Sequence, residues 1–392
     1  MRFAIVNLFL TALSLPVAHA ALLHQGRDPE AEESRAQKDS KKIRGNTGGI
    51  DGQNVDQMFE KMKADEEQGK PFDMIKFKAM NQMAKKSFNI DPKKKELRDV
   101  TLKVFERNKD KSLTKQELFS EMITEIQNQE LKDEIMIDVE RGYSEADELA
   151  IIDPYAGEDE DAMFDESDDD NDSGRLLGVA INIDGAWPKG VIKYWVVKED
   201  DWSGYGMWIQ NILPAMNIVE METNLIFELQ GYIWTFDEDK KNDGALYVGK
   251  NVPGKFTQAQ SGVPAANSNS RLQIHPDFST SGIIQHELLH VAGFAHQMKA
   301  AYRDNYITVN YDNIQPTAFR QFDKLVGPHG HEWNYDYGSI MHYGEFAFTK
   351  NFQKTMDCRG NLCGQRDGLS KWDVWELLYF YRGYTFKVNT DL

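Results

Sequence analysis

The chain has 392 residues, 41% of them hydrophobic, and carries 63 acidic against 45 basic side chains, a net charge of −18. That apolar content supports packed cores in two or three domains and excludes a chain disordered throughout. The acidic balance disfavours a nucleic-acid partner and favours cations.

Residues 1–20 read as a secretory signal: Arg2 supplies the positive charge, Phe3 to Val17 is mostly apolar, and Ala18-His19-Ala20 gives a small-x-small cleavage site. The apolar run is short for a membrane span, and no other segment reaches the roughly 18 to 20 apolar residues such a helix needs. A secreted, extracellular protein is expected. Residues 21–54 are polar and charged, with Gly48-Gly49 and few large apolar residues, and form a linker.

From about Val55 to 150 apolar residues recur at helical spacing, as in Met58, Phe59 and Met62 and later Leu118, Met122, Ile123 and Ile126, so a small all-α domain is predicted. Within it the twelve residues from Glu106 to Glu117 resemble an EF-hand loop. Side-chain oxygens would come from Glu106, Asn108, Asp110, Thr114 and Glu117, and a carbonyl from Ser112, to hold calcium. Two positions depart from the pattern: Glu106 stands where Asp is usual, and Lys111 where a glycine makes the sharp turn. The competing reading is a helix-loop-helix with a charged loop.

Residues 151–175 are dominated by self-repelling acids from Asp153 to Asp172, which predicts an extended, exposed segment. Arg175, its one basic residue, is the natural cleavage point for an activating protease. Asn171-Asp172-Ser173 is a glycosylation sequon. Beyond it, residues 176–392 form the last domain, entered through a Pro/Gly turn at Trp187-Pro188-Lys189-Gly190 and a β-branched, aromatic strand.

The chemistry is concentrated in His286-Glu287-Leu288-Leu289-His290-Val291-Ala292-Gly293-Phe294-Ala295-His296. Residues four apart share a helix face, so His286 and His290 can hold one zinc ion with Glu287 beside them. Gly293 can adopt the positive φ that ends the helix and returns His296 as third ligand. Glu287 is placed to take a proton from the attacking water and pass it to the leaving amine.

The pattern HExxHxxGxxH followed by a Met-containing turn marks the metzincin zinc endopeptidases. Residues from about 178 to 385 resemble the catalytic domain of the astacin family. The resemblance rests on Trp187-Pro188-x-Gly190-Val191-Ile192, the zinc motif, Arg303 to Asn310, Tyr335-Asp336-Tyr337-Gly338-Ser339-Ile340-Met341-His342-Tyr343, and Gly364-Gln365-Arg366-x-Gly368-Leu369-Ser370-x-x-Asp373. It implies an α+β, two-lobed catalytic domain, which the all-α, EF-hand-like region read above from helical spacing would precede as a pro-domain. Met341 would floor the three histidines, and Tyr343 would be an additional zinc ligand that swings off to bond the oxyanion. Substrate would lie extended between the lobes, pairing with an edge strand.

The resemblance also implies a zymogen whose propeptide carboxylate caps the zinc; Tyr155-Ala156-Gly157-Glu158-Asp159 offers Glu158 or Asp159, with Asp165 as rival. Gln297 stands where the family has a Glu that pairs with the freed N-terminal amine, and a neutral amide does so more weakly. The family's two long-range disulfides cannot form, because Cys358 and Cys363 are the whole cysteine inventory; five residues apart, they suit a small local loop. The expected protein is a monomeric zinc endopeptidase acting on peptides or proteins. The alternative is a catalytically silent calcium-binding or matrix-interaction protein that keeps the fold, in which some member of the catalytic set would be missing.

Overall fold

A computed structural model of the chain describes residues 73–109, 115–149, 186–198, 208–233, 243–250, 257–264, 268–324 and 335–383, with positions 64, 65, 68, 70, 111 and 113 besides. The expected signal at 1–20, the linker at 21–54 and the acidic segment with Glu158, Asp159, Asp165 and Arg175 lie outside the described residues.

Among the described residues four helices precede the acidic segment: α1 (Met74–Ser87), α2 (Pro92–Arg107), α3 (Lys115–Glu125) and α4 (Gln129–Leu149). Each of the first two starts on a carboxylate cap. Asp73 accepts from the Lys76 amide and Asp91 from that of Lys93, while Pro92 occupies the first turn, where its missing N–H costs nothing. Their inward residues, among them Phe77, Met80, Leu97, Phe105, Phe119 and Met122, are buried.

The remainder is a mixed sheet with helices packed on it. Strands β1 (Val191–Val197), β2 (Ile226–Ile233), β3 (Leu246–Lys250), β4 (Gln258–Ala259) and β5 (Ser270–Ile274) lie in the order β2-β1-β3-β5-β4. All pairings are parallel except β4 with β5, so the short edge strand runs against its neighbours. Parallel neighbours need crossovers, and helix α5 (Leu213–Glu222) supplies the one between β1 and β2. On β1, Ile192, Tyr194 and Val196 alternate into the core at no more than 1% exposure, the period-2 signature of a strand packed on one face.

Helix α6 (Ser281–Val291) carries the histidine pair and is buried along its whole length from Gly282. Its ends account for its limits. Thr280 caps the start by accepting from the Ile283 amide. At the far end Gly293 takes φ +98°, its N–H donating to the His290 carbonyl and that of Phe294 to the Leu289 carbonyl, a complete Schellman closure. Two carbonyls left over in the last turn are met from far along the chain: Trp187 Nε1 donates to Val291 (2.7 Å) and the Tyr381 hydroxyl to Ala292 (2.9 Å).

After α6 the chain makes mainly short 3₁₀ turns, a two-stranded ladder of β6 (Thr308–Val309) and β7 (Met356–Asp357), and helix α7 (Lys371–Phe380), which opens with a capping box formed by Ser370 and Asp373. Cys358 and Cys363 are bridged.

Gly282 is required by contact rather than conformation: a Cβ there would lie 1.6 Å from the Arg366 carbonyl oxygen. Both partners are backbone and neither can swing away. Gly282→Ala is expected to destabilise the fold by about 3 kcal/mol or more, at the upper end of overpacking costs, which thermal unfolding of the variant beside the parent would show.

Candidate active site

His286 and His290 project from one face of α6, and the Schellman turn brings His296 back to them. The three Nε2 atoms converge: His296 Nε2 lies 3.1 Å from that of His290 and 3.3 Å from that of His286. The opposite nitrogens explain the aim. Nδ1 of His286 donates to the Ile340 carbonyl and Nδ1 of His290 to the Phe294 carbonyl, each at 2.7 Å, and since a carbonyl can only accept, both rings carry their proton on Nδ1. Their Nε2 lone pairs therefore face one another.

Burial first, then the positive Arg366 and the cost of a second charged ring at His290, holds His286 well below its usual pKa, and burial with the same cost against His290 and His286 and the charge of Lys299 does so for His296, so these two rings are neutral. Lone pairs so arranged call for a positive ion. Nitrogen ligands about 2.0 to 2.1 Å from zinc at tetrahedral angles stand roughly 3.3 Å apart, the spacing found here. The triad fits zinc.

Met341 is fully buried, in a turn where its carbonyl accepts from the backbone amide of Gln297 (3.0 Å), next to His296 in the chain. The turn is held from behind by Asp373: one carboxylate oxygen accepts from the Ser339 hydroxyl (2.6 Å), the other from the amides of Ile340 (2.9 Å) and Ser370 (2.8 Å). Ile340 thus links Asp373 on its N–H to His286 on its carbonyl. The Tyr343 ring packs on His296 with centroids 4.3 Å apart, and its hydroxyl donates to Gln321 Oε1 at 3.4 Å. Glu287 is 8% exposed beside the triad. The side-chain amide of Gln297 is fully buried, without a hydrogen-bond partner among the described residues.

A second histidine cluster is occupied otherwise. His342 has Nδ1 on the Tyr343 carbonyl and Nε2 on the Tyr335 hydroxyl, each at 2.7 Å, and the neighbouring sulfurs of Cys358 and Cys363 are bonded to each other. His275 packs against Phe278.

In the loop between α2 and α3, Asp110, Ser112 and Thr114 lie outside the described residues. Asn108 Oδ1 accepts from the Lys111 ammonium (3.0 Å), its Nδ2 donates to Val104 and Glu121, Glu106 pairs with Lys109, and Glu117 is exposed in the first turn of α3. The residue replacing the turn glycine thus puts a cation on the third ligand position.

A family model described as Astacin (Peptidase family M12A) matches residues 180–382, more than half of the chain and all of the site. The chain belongs to the astacin family. Among similar proteins, zinc metalloproteinase nas-15 of Caenorhabditis elegans is 44% identical over 108 residues, 26% of this chain and 18% of that protein. High choriolytic enzyme 1 of Oryzias latipes is 40% identical over 110 residues, 26% of this chain and 38% of that protein. The matches thus span less than two-fifths of these relatives' length. The solved structure of the latter, a hatching enzyme zinc-protease, aligns at TM-score 0.41 and 27% identity over 51% of this chain and 96% of its own.

Within this astacin-family site, sequence reasoning passed over the role of Gln321, which has no motif to announce it, and the roles of Trp187, Tyr381, Asp336 and Asp373, quoted as signature or left aside without a bond being assigned. Asp336 accepts from the Ser370 hydroxyl (2.5 Å) and the Gly338 amide (2.9 Å). Burial, then the neighbouring Asp373 carboxylate, pushes its pKa up to about 7 from the ordinary 3.8.

The folded chain thus holds a proton there that the unfolded chain releases near pH 3.8, so stability from this group falls as pH rises from about 4 to 7. Asp336→Asn is expected to flatten that slope and to melt several degrees above the parent at pH 8, as read by melting curves across pH. For the α2–α3 loop, calcium at about 1 mM, enough for weak extracellular sites, is expected to leave the melting temperature unchanged, because Lys111 places its charge on Asn108; a calcium-dependent rise would establish the ion there.

Proposed function

We propose that the chain is a secreted zinc-dependent endopeptidase, made as a latent precursor and cleaving peptide bonds in an extended substrate. The observation that carries this reading is the convergence of three buried imidazole Nε2 atoms with Glu287 alongside. His286, His290 and His296 would hold the zinc, with Tyr343 as a fourth protein ligand at rest. When bound, the ion lowers the pKa of a water and polarises the scissile carbonyl.

The chain's own residues do the rest. Glu287 takes the proton of the attacking water and delivers it to the leaving nitrogen, so one carboxylate serves as base and then acid. The Tyr343 hydroxyl, released from Gln321, donates to the oxygen that becomes negative as the carbonyl turns tetrahedral. A phenol fits because its proton remains available at neutral pH. Edge strand β4 offers unpaired backbone for an extended peptide, and the chain just after it is stitched to α6 by the Gly262 amide on the His290 carbonyl (3.0 Å), so a bound peptide would run beside the histidines.

Latency is assigned to Glu158 or Asp159, with cleavage after Arg175 removing the block. A catalytically silent calcium-binding or matrix protein is less well supported, since Glu287, the histidines, Met341 and Tyr343 are all retained.

Secreted protein should cleave a random peptide pool only after mild trypsin treatment. Glu287→Ala should lower that cleavage at least 10²-fold, at the lower bound for a lost general base, while keeping about one zinc per chain; His296→Ala should lose the zinc as well. Zinc without cleavage in processed parent protein would overturn the reading. Constitutive activity is expected from whichever of Glu158→Ala and Asp159→Ala removes the cap, and unchanged latency in both would remove the assignment.

A further inference from the structure

The helices that precede the acidic segment share one continuous hydrophobic core with the catalytic domain. Phe119 of α3 stacks on Trp375 of α7 (centroids 4.6 Å, 27°) and meets Trp372 edge-on at 5.8 Å. Phe105 of α2 packs on Tyr379 of the same helix, and Phe77 of α1 on Trp208 at 5.4 Å. Trp208, Trp375 and Phe119 are each no more than 1% exposed. This is interior packing, in which aromatic anchors from both sides interdigitate.

Polar contacts follow the same seam. Helix α5 ends in Glu220 and Glu222, whose carboxylates are 9% and 5% exposed and pair with Lys85 of α1 and Lys94 of α2. Burial pushes both carboxyls up and the lysines pull them back, so removing the lysines would leave two acids in an apolar setting. The Arg98 guanidinium donates to the Thr223 carbonyl that closes α5 (2.7 Å). At the start of α7, Lys371 pairs with Glu134 and Asp138 of α4, and Trp372 Nε1 donates to Asp138 (3.0 Å). Helix α7 carries Asp373, which holds the turn bearing Met341.

The geometry points to a retained module: residues 73–149 stay bound to the catalytic domain after the chain is cut in the acidic segment, and the processed protein is a two-chain, non-covalent complex in which the helices brace α7. This rests on the latent-precursor reading proposed above, in which the intervening acidic segment alone supplies the block and is the part released. A propeptide is divided in this way into a part that blocks and a part that builds.

The test uses the full chain with a site-specific protease sequence placed within residues 165–172, carrying Glu287→Ala so that neither result depends on proteolytic activity. After cutting, both fragments are expected to co-elute on size exclusion at about 1 μM, above the Kd of interfaces anchored in this way, and to separate in denaturant. In the cut protein Phe119→Ala should weaken association at least about 30-fold. Lys371→Glu, at the accessible rim and thus tolerated by the fold, should weaken it severalfold, with Glu134→Lys in the same chain recovering part. A helical fragment that elutes alone after the cut would overturn the proposal, as would co-elution insensitive to both Phe119→Ala and Lys371→Glu.

Discussion

Three imidazole nitrogens are held about 3 Å apart, lone pair toward lone pair, and the rest of the site depends on how that costly arrangement is maintained. Two of the rings are oriented by backbone carbonyls, and those carbonyls belong to segments fixed by other means: Phe294 by the closure of α6, Ile340 by Asp373. Zinc affinity in such a site is written as much in the partners of the ligands as in the ligands. A chain with the same three histidines and a loose Ile340 would aim His286 less well.

The terminus of α6 gathers contributions from distant places. An indole from residue 187 and a phenol from residue 381 satisfy carbonyls at 291 and 292, so the start and the end of the catalytic domain meet at the turn that delivers His296. These bonds are worth about 1 kcal/mol each on balance, but a buried carbonyl without them would cost more than that. The Trp187-Pro188 opening is in this sense part of the metal site, though it lies about a hundred residues before it.

The local parts of this plan were legible in the sequence. His286 and His290 share a face because a helix has its period, Gly293 ends that helix because it can take positive φ, and α2 and α3 lie where apolar residues recur at helical spacing. Partnerships across the chain were not. No local signal says that Asp373 reaches Ile340, that Gln321 receives the Tyr343 hydroxyl, or that the phenylalanines of α1 to α3 face Trp208, Tyr379 and Trp375 of the catalytic domain. The α2–α3 loop shows the same limit from the other side. Its ligand pattern could be counted, but that Lys111 would bend back onto Asn108 could not.

The domain does not cohere in one way throughout. Up to α6, and again in α7, it is a sheet and helices around one apolar core, whereas between Gln297 and Ser370 the described chain is mainly short turns pinned by side chains on backbone. Arg303 alone spans the carbonyls of Met298 and Phe322, Arg359 those of Asn305 and Asp304, and Gln365 those of Gly338 and Gly368. A fold built in this way loosens unevenly, because water competes for each such bond singly while an apolar core gives way as a unit. The helix pair of histidines and Met341 belong to the main core, whereas Tyr343 packs with the smaller clusters beside it. The three imidazoles therefore stand at a boundary between two kinds of matter, firm on the side of the helix and more compliant on the side of the tyrosine.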